Sequence, residues 1–199
     1  YNRVTTPILE MKELFVRGVG SDTDIVTKEM FSFVDSGGEE VVLRPEATAS
    51  MARAYVNHGL LSVPQPVRMW YQGPMFRRER PQAGRYRQFN QFGVEAFGDG
   101  QPVVDAEVIA VAVMMLRDIG LPVKVEINSI GCNTCRKTYR DELVKYYRLK
   151  RELLCEDCKV RLQKNPMRLL DCKEVQCEFL KRQAPQTVDW LDEPCRDHF

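Results

Sequence analysis

The sequence predicts an α+β fold, an antiparallel β-sheet flanked by helices, and three observations predict it. Hairpins are mixed with helices where a parallel sheet would alternate strand and helix strictly. "MFSFVDSGGEEVVLRP" sets the turn residues Ser36, Gly37 and Gly38 between two β-rich runs. "VRMWYQGPMF" and "FNQFGVEAFG" are two strand-like stretches joined by a loop of opposite character, rich in arginine.

In chain order, "VTTPILEMKELFVRGVG" reads as a strand end and then a helix, with Thr6 as N-cap, Pro7 in its first turn and Gly18 or Gly20 past its end. The Ser36–Gly38 hairpin follows. Pro45 then opens a helix over "EATASMARAYVNH", which Gly59 closes. Residues 67–79 and 88–97 form two strands. "DAEVIAVAVMMLRDIG" is a helix with Asp105 near its start and Gly120 past its end, its apolar spacing suited to a face packed on a sheet. In "LPVKVEINSI", Val123, Val125 and Ile127 alternate with Lys124, Glu126 and Asn128, which predicts a half-buried strand. "RKTYRDELVKYYRLKRELL" and "EDCKVRLQKNP" predict helices. His58 falls near a helix C-terminus, where an imidazolium is mildly favoured, and nothing in the sequence pattern assigns His198 a role. Trp70, Tyr71 and the apolar run of 106–115 read as core.

The chain has 199 residues, 44% of them hydrophobic, enough to bury a core. Lys+Arg at 29 nearly balance Asp+Glu at 28, so no global field draws the chain to nucleic acid or to an anionic membrane. Anion binding has to be local. There is no apolar run long enough for a membrane span and no signal-peptide pattern, and the expected location is cytoplasmic. The first residue is not methionine and "CRDHF" carries no finishing signal, which suggests a piece of a longer protein.

The chemistry concentrates on "FRRERPQAGRYRQF", residues 76–89, with five arginines between two phenylalanines. Side chains alternate faces on a strand. If 67–79 and 88–97 pair, one face presents Arg77, Glu79, Phe89, Gln91 and Glu95 around Gly73 and Gly93, and Phe92, Val94 and Ala96 form the core face. A guanidinium offers a planar fork to phosphate oxygens, a phenylalanine face stacks on a base, and carboxylates accept from amines. A nucleotide plus an amino acid fits that face. The competing reading is a solvated hairpin whose charges only keep the chain soluble. Glycine inside a strand weakens it unless something approaches the backbone closely, and two strand glycines favour the ligand reading.

"MFRRERPQAGRYRQFNQFGVEAFG" resembles motif 2 of the class II aminoacyl-tRNA synthetases. "LRPEATASMAR" and "TPILEMKELFVRGVGSDTDIVTKEMFSFVD" resemble the histidyl-tRNA synthetase family in particular, and the likeness extends over essentially the whole chain, including "INSIGC" and "NPMRLLDCK". The resemblance implies a partial class II catalytic core over 1–199. Residues 1–130 would run from a motif 1 remnant through the motif 2 core, and 131–199 would be a cysteine-containing segment of the same module. It implies ATP-dependent activation of histidine to an adenylate and transfer to tRNA(His), with Mg²⁺ on the ATP phosphates, in a homodimer. By the same resemblance Arg77 holds the α-phosphate and the histidine carboxylate, Glu79 and Phe89 frame the adenine, and Arg85 reaches the distal phosphates. Glu46, Thr48, Gln91 and Glu95 form the histidine pocket, and Arg80 and Gln82 face the tRNA acceptor end. Helix capping after Pro45 is the competing role for Glu46 and Thr48. The family's second histidine signature, its motif 3 and its anticodon-binding domain are absent, so the piece should not aminoacylate alone. A non-catalytic relative, the histidine-sensing regulatory subunit of ATP phosphoribosyltransferase, is the alternative. It has no use for Arg77, Glu79, Arg85 and Phe89 together. A zinc-stapled RNA-binding module would need a basic balance that the chain lacks.

All seven cysteines lie at or after position 132. "CNTC" and "CEDC" are two C-x-x-C pairs, with Cys135 and Cys155 20 positions apart, close to the spacing of a four-cysteine zinc site. Cys132, Cys135, Cys155 and Cys158 are therefore the candidate zinc ligands, with Cys172, Cys177 and Cys195 as spares. Reduced, partly buried thiols are the plain alternative, and zinc is no general requirement of the family the chain resembles.

Overall fold

The computed structural model describes residues 1–199 except Asp22 and Pro81. The chain divides into two compact units, Tyr1–Gly120 and Leu121–Phe199.

The first unit is α+β. Strands β1 (Asn2–Arg3), β5 (Val67–Phe76) and β6 (Gln88–Phe97) make one sheet in the order β1-β5-β6. The β5–β6 hairpin is antiparallel, while β1 runs parallel to β5, with Asn2 opposite Met69. Strands β2 (Leu9–Met11), β3 (Phe31–Val34) and β4 (Glu40–Leu43) make a second, antiparallel sheet in the order β2-β4-β3. Asp35 closes the β3–β4 turn, its carboxylate accepting from the Gly37 and Glu39 amides at 2.8 and 3.0 Å.

Helix α1 (Lys12–Val19) starts later than the Thr6/Pro7 signal predicts, because residues 9–11 pair with β4 instead. Thr6 is buried, and its carbonyl and hydroxyl accept from the Arg44 guanidinium at 2.7 and 3.0 Å. Helix α2 (Thr48–Asn57) lays the i, i+4, i+8 stripe Ala47, Met51, Tyr55 on Met69, Tyr71 and Met75 of β5, which forms one core. Phe15, Met30, Val42 and Ala49 form another, where α1 comes so close that a Cβ on Gly18 would stand 3.0 Å from Ala49 Cβ.

Helix α3 (Pro102–Asp118) is tied to β5 by a bidentate Arg68–Glu107 pair at 2.7 and 2.6 Å. Its apolar run of 106–115 is mostly exposed, with Met114 59% and Ile109 37% accessible, contrary to the expected core role. The predicted core face of the hairpin is also reversed. Phe92 is 44% exposed, whereas Tyr71 and Met75, opposite Gly93 and Phe89, are buried under α2. Trp70 is half-buried, against Phe92 at 5.8 Å between ring centroids.

The second unit is helical among its described residues: α4 (Asn133–Arg148), α5 (Glu156–Lys164), α6 (Val175–Arg182) and α7 (Glu193–His198), joined by single helical turns. The stripe Cys135, Tyr139, Leu143, Tyr147 of α4 faces inward, the last three of them into a core with Leu154, Leu162, Leu169 and Leu180. Tyr139 and Tyr146 donate their hydroxyls to the Pro185 and Leu180 carbonyls at 3.1 and 2.8 Å. The predicted strand over 121–130 does not form. Its alternation is real, but these residues pair in neither sheet, and Val123, Val125 and Ile127 stay exposed. Alternation shows which face could be buried; the partner strand has to come from elsewhere.

Candidate active site

The β5–β6 register places Met69 opposite Glu95, Tyr71 opposite Gly93, Gly73 opposite Gln91 and Met75 opposite Phe89. Opposed residues share a face, so Phe89, Gln91, Gly93 and Glu95 line one strip along β6. Pairing continues one step past the strands, where the Arg77 amide donates to the Arg87 carbonyl at 2.9 Å. That step keeps Arg77 on the same side. Its guanidinium carbon lies 5.2 Å from the Phe89 ring centroid, and its Nε donates to the Pro45 carbonyl at 2.9 Å. Anchoring through Nε leaves both terminal nitrogens for other acceptors. Gln91 Oε1 is buried with no hydrogen-bond partner among the described residues, an acceptor that calls for a donor.

At the far end of the strip the Thr48 hydroxyl donates to Glu95 at 2.6 Å. Glu46 turns its carboxylate onto the first turn of α2, accepting from the Thr48 and Ala49 amides at 2.6 and 3.0 Å. The helix-capping role is thus filled by Glu46, while Thr48 looks across to β6. Burial pushes the Glu95 carboxyl above the ordinary range, the Thr48 bond pulls it back, and nearby Glu46 adds to the rise. Burial likewise raises the Tyr71 phenol, with Glu95 and Glu46 contributing. Two carboxylates and a phenol are therefore held together at this end, a setting that favours a cation.

Beyond Arg77 the loop folds back on itself. Gln82 and Arg85 exchange backbone bonds around Gly84, which has φ +77°, and Arg85 pairs with Glu79 at 3.3 Å. Glu79, Arg80, Gln82 and Arg85 line a cavity of about 750 Å³ that Lys28, Glu29, Arg78 and Arg87 complete. The Arg78 amide donates to the Glu29 carbonyl at 2.7 Å, fastening the loop to the helical turn Ile25–Glu29. Five basic side chains against two carboxylates make the cavity an attractor for phosphate. Arg87 is one of the motif's five arginines, without a role assigned from the sequence, whereas Lys28 lies outside the motif. Lys28 belongs to a separate segment that only the fold brings to the loop.

The two strand glycines have an internal cause. A Cβ on Gly73 would sit 2.6 Å from Arg44 Nη2, and one on Gly93 would sit 2.4 Å from the Tyr71 ring. What approaches the backbone is the chain's own buried Arg44 and Tyr71. Arg44 also donates from Nε to the Pro74 carbonyl at 2.9 Å, so one side chain fastens the site strand to the Thr6 segment.

The cysteines gather differently from the predicted set. Cys155, Cys158, Cys172 and Cys177 form one cluster and Cys132, Cys135, Asp192 and Cys195 another, each with its ligand-type atoms within 4.8 Å of one another. The two C-x-x-C pairs do not meet. Each pair begins at the N-cap of its own helix, Cys132 on α4 and Cys155 on α5, and meets residues much later in the chain. The spare cysteines complete the sets, and an aspartate stands where sequence reasoning sought only thiols.

The sequence profile described as histidyl-tRNA synthetase matches residues 1–132, which contain the whole strip and loop. The chain belongs to the histidyl-tRNA synthetase family. It is 53% identical over its full length to a histidine–tRNA ligase of Halothermothrix orenii, covering 48% of that protein. Among solved structures it is similar to the apo histidyl-tRNA synthetase of S. aureus, with a TM-score of 0.70 and 37% identity over all of this chain and 44% of that one. A Bacillus halodurans protein named as an ATP phosphoribosyltransferase regulatory subunit/histidyl-tRNA synthetase matches at TM-score 0.59 and 28% identity, over 94% of this chain and 51% of that one. The chain spans about half the length of the curated relatives it matches. Membership of this family accords with a class II catalytic core, and no described helix is long and apolar enough to cross a membrane.

Proposed function

We propose that this chain is the part of a cytoplasmic, homodimeric histidine–tRNA ligase that binds ATP and histidine and joins them as histidyl-adenylate before transfer to tRNA(His). The observation that carries the reading is the polarity of one strip. Phe89 to Glu95 spans roughly 20 Å at strand rise, with a stacked guanidinium at one end, a carboxylate pair at the other and an unpaired buried acceptor at Gln91 between them. An aminoacyl-adenylate has the matching order of ring, phosphate and ammonium.

In this reading Phe89 stacks on adenine and Glu79 accepts from its amine. The terminal nitrogens of Arg77 bridge the histidine carboxylate and the α-phosphate. A carboxylate oxygen of histidine attacks the α-phosphorus and pyrophosphate leaves, while Arg77 stabilises the charge that accumulates on the phosphoryl oxygens. No general base is needed, because the attacking carboxylate is already ionised. Glu95, Glu46, Thr48 and Gln91 hold the histidine end, and Arg85, released from Glu79, meets the departing phosphates. Mg²⁺ would enter on those phosphates and neutralise part of their charge. Arg80 and Gln82, exposed on the loop, are left to meet the tRNA acceptor end.

The histidine-sensing reading draws on the Bacillus halodurans likeness alone. The cationic cavity favours the ligase, since a sensor of histidine has no phosphate to bind. Arg77→Ala in the full-length ligase tests this. Histidine-dependent pyrophosphate exchange should fall about 100- to 1,000-fold, the usual cost of one preorganised charge-stabilising donor. Exchange within a few-fold of the parent would remove the mechanism.

A further inference from the structure

We infer that the second unit carries two separate zinc centres, one bound by Cys155, Cys158, Cys172 and Cys177 and the other by Cys132, Cys135, Asp192 and Cys195. Each set brings its ligand-type atoms within 4.8 Å of one another, which leaves room for a single ion and not for a multi-iron cluster. A tetrahedral zinc with thiolates at about 2.3 Å sets sulfurs about 3.8 Å apart. Cys155 and Cys172 sulfurs stand at 3.8 Å and those of Cys132 and Cys135 at 3.5 Å. A disulfide needs about 2.05 Å, and all seven cysteines are free.

The surroundings look built for thiolate. Backbone amides donate to the Cys195, Cys132 and Cys135 sulfurs at 3.3, 3.5 and 3.2 Å, so every sulfur of the second set accepts an N–H. In the first set the Cys155 amide donates to Cys177 at 3.4 Å. Neutral thiols are weak acceptors, whereas metal-bound thiolates are commonly oriented by such bonds. Gly131, at φ +61°, turns the chain into the second set, and a Cβ there would stand 2.7 Å from Cys135 Cβ.

Ligand chemistry selects the ion. Four sulfurs in a tetrahedron suit zinc or iron, and a carboxylate within the second set suits a borderline ion better than a soft one such as Cu(I). Neither set offers an open position, so both centres are structural. Each S–H that becomes S–Zn releases its proton to solvent. The first ion would sit inside the core of Tyr147, Leu162 and Leu180, and the second would tie the start of α4 to the start of α7. A unit this small gains most from such staples.

The test uses the 199-residue chain purified without chelator. Elemental analysis should give about two zinc ions per chain, about one after Cys158→Ser, about one after Cys195→Ser and almost none after both. Absence of bound metal, iron in place of zinc, or fewer than seven titratable thiols after denaturation without reductant would overturn the proposal. A zinc count unchanged by Cys195→Ser would overturn the second centre. Cobalt loading of the unsubstituted chain guards against unfolded variants. It should show tetrahedral thiolate spectra for two ions, and Asp192→Cys should convert one of the two to the four-sulfur spectrum. An octahedral cobalt spectrum would refute both sites.

Discussion

Gly93→Ala isolates the claim that the site strip is shaped by its own packing. The added carbon would lie 2.4 Å from Tyr71 Cζ and Oη and 2.5 Å from Cε1, against an ordinary carbon contact of about 3.5–4.0 Å. The ring has to retreat by about 1 Å. Tyr71 is 7% exposed and wedged among Ala47, Met51 and Met75, so retreat means overpacking, at a cost of about 1–3 kcal/mol. Replacing glycine in a strand returns about 0.5–1 kcal/mol, leaving a net loss of about 1–2 kcal/mol. The assay is denaturant unfolding followed by tryptophan fluorescence in a Trp190→Phe background, which leaves Trp70 as the one reporter and reads the first unit alone. The control is a double-mutant cycle with Tyr71→Ala, where Gly93→Ala should stabilise by about 0.5–1 kcal/mol and the coupling should equal the clash. An equal cost in both backgrounds, or a stabilised single variant, would refute the packing account and return the glycine to a ligand-approach role.

Arg53→Ala strips the buried Glu10 carboxylate of its ion-pair partner while its other oxygen already has none among the described residues; a loss of about 3–5 kcal/mol is expected, partly restored by Glu10→Gln, and a loss below about 1 kcal/mol would contradict the pairing. Glu95 has its pKa raised in the folded state, so its folded form binds more protons than the unfolded chain just above the ordinary carboxylate range. Its stability contribution is full below that range and is lost as pH rises through the raised value. Glu95→Gln, whose amide oxygen can still accept from Thr48, should therefore be more stable than the parent at neutral pH and converge with it in acid. A difference that is constant with pH would count against this.

The hairpins and the arginine loop were legible because their signals are local. Ser36, Gly37 and Gly38 mark one turn, and period-two alternation marks β5 and β6 on either side of the loop. Arg77, Phe89, Gln91 and Glu95 follow from that alternation alone, and the structure brings them to one face. What failed was every inference that needed a distant partner. Pro7 looked like a helix start because nothing nearby shows that residues 9–11 would rather pair with β4. Phe92 and Val94 looked like the core because they are the more apolar face; the side that α2 covers is decided by Ala47, Met51 and Tyr55, an earlier segment. Arg44 carries no local signal of burial, yet it is buried between Thr6 and Pro74, both remote from it in sequence. The cysteine pairs were visible as motifs, but a D-x-x-C from the last helix supplying two ligands has no local signature.

The second cluster brings Cys132, at the start of α4, within 3.3 Å of the Asp192 carboxylate at the start of α7, so two points of the helical unit that are remote in sequence lie side by side. The segment between them is a loop closed at its base, and the entropy of closing such a loop grows only slowly with its length. Length can then be gained or lost between Cys135 and Asp192 at little entropic cost, as long as the clasp at the two ends is kept.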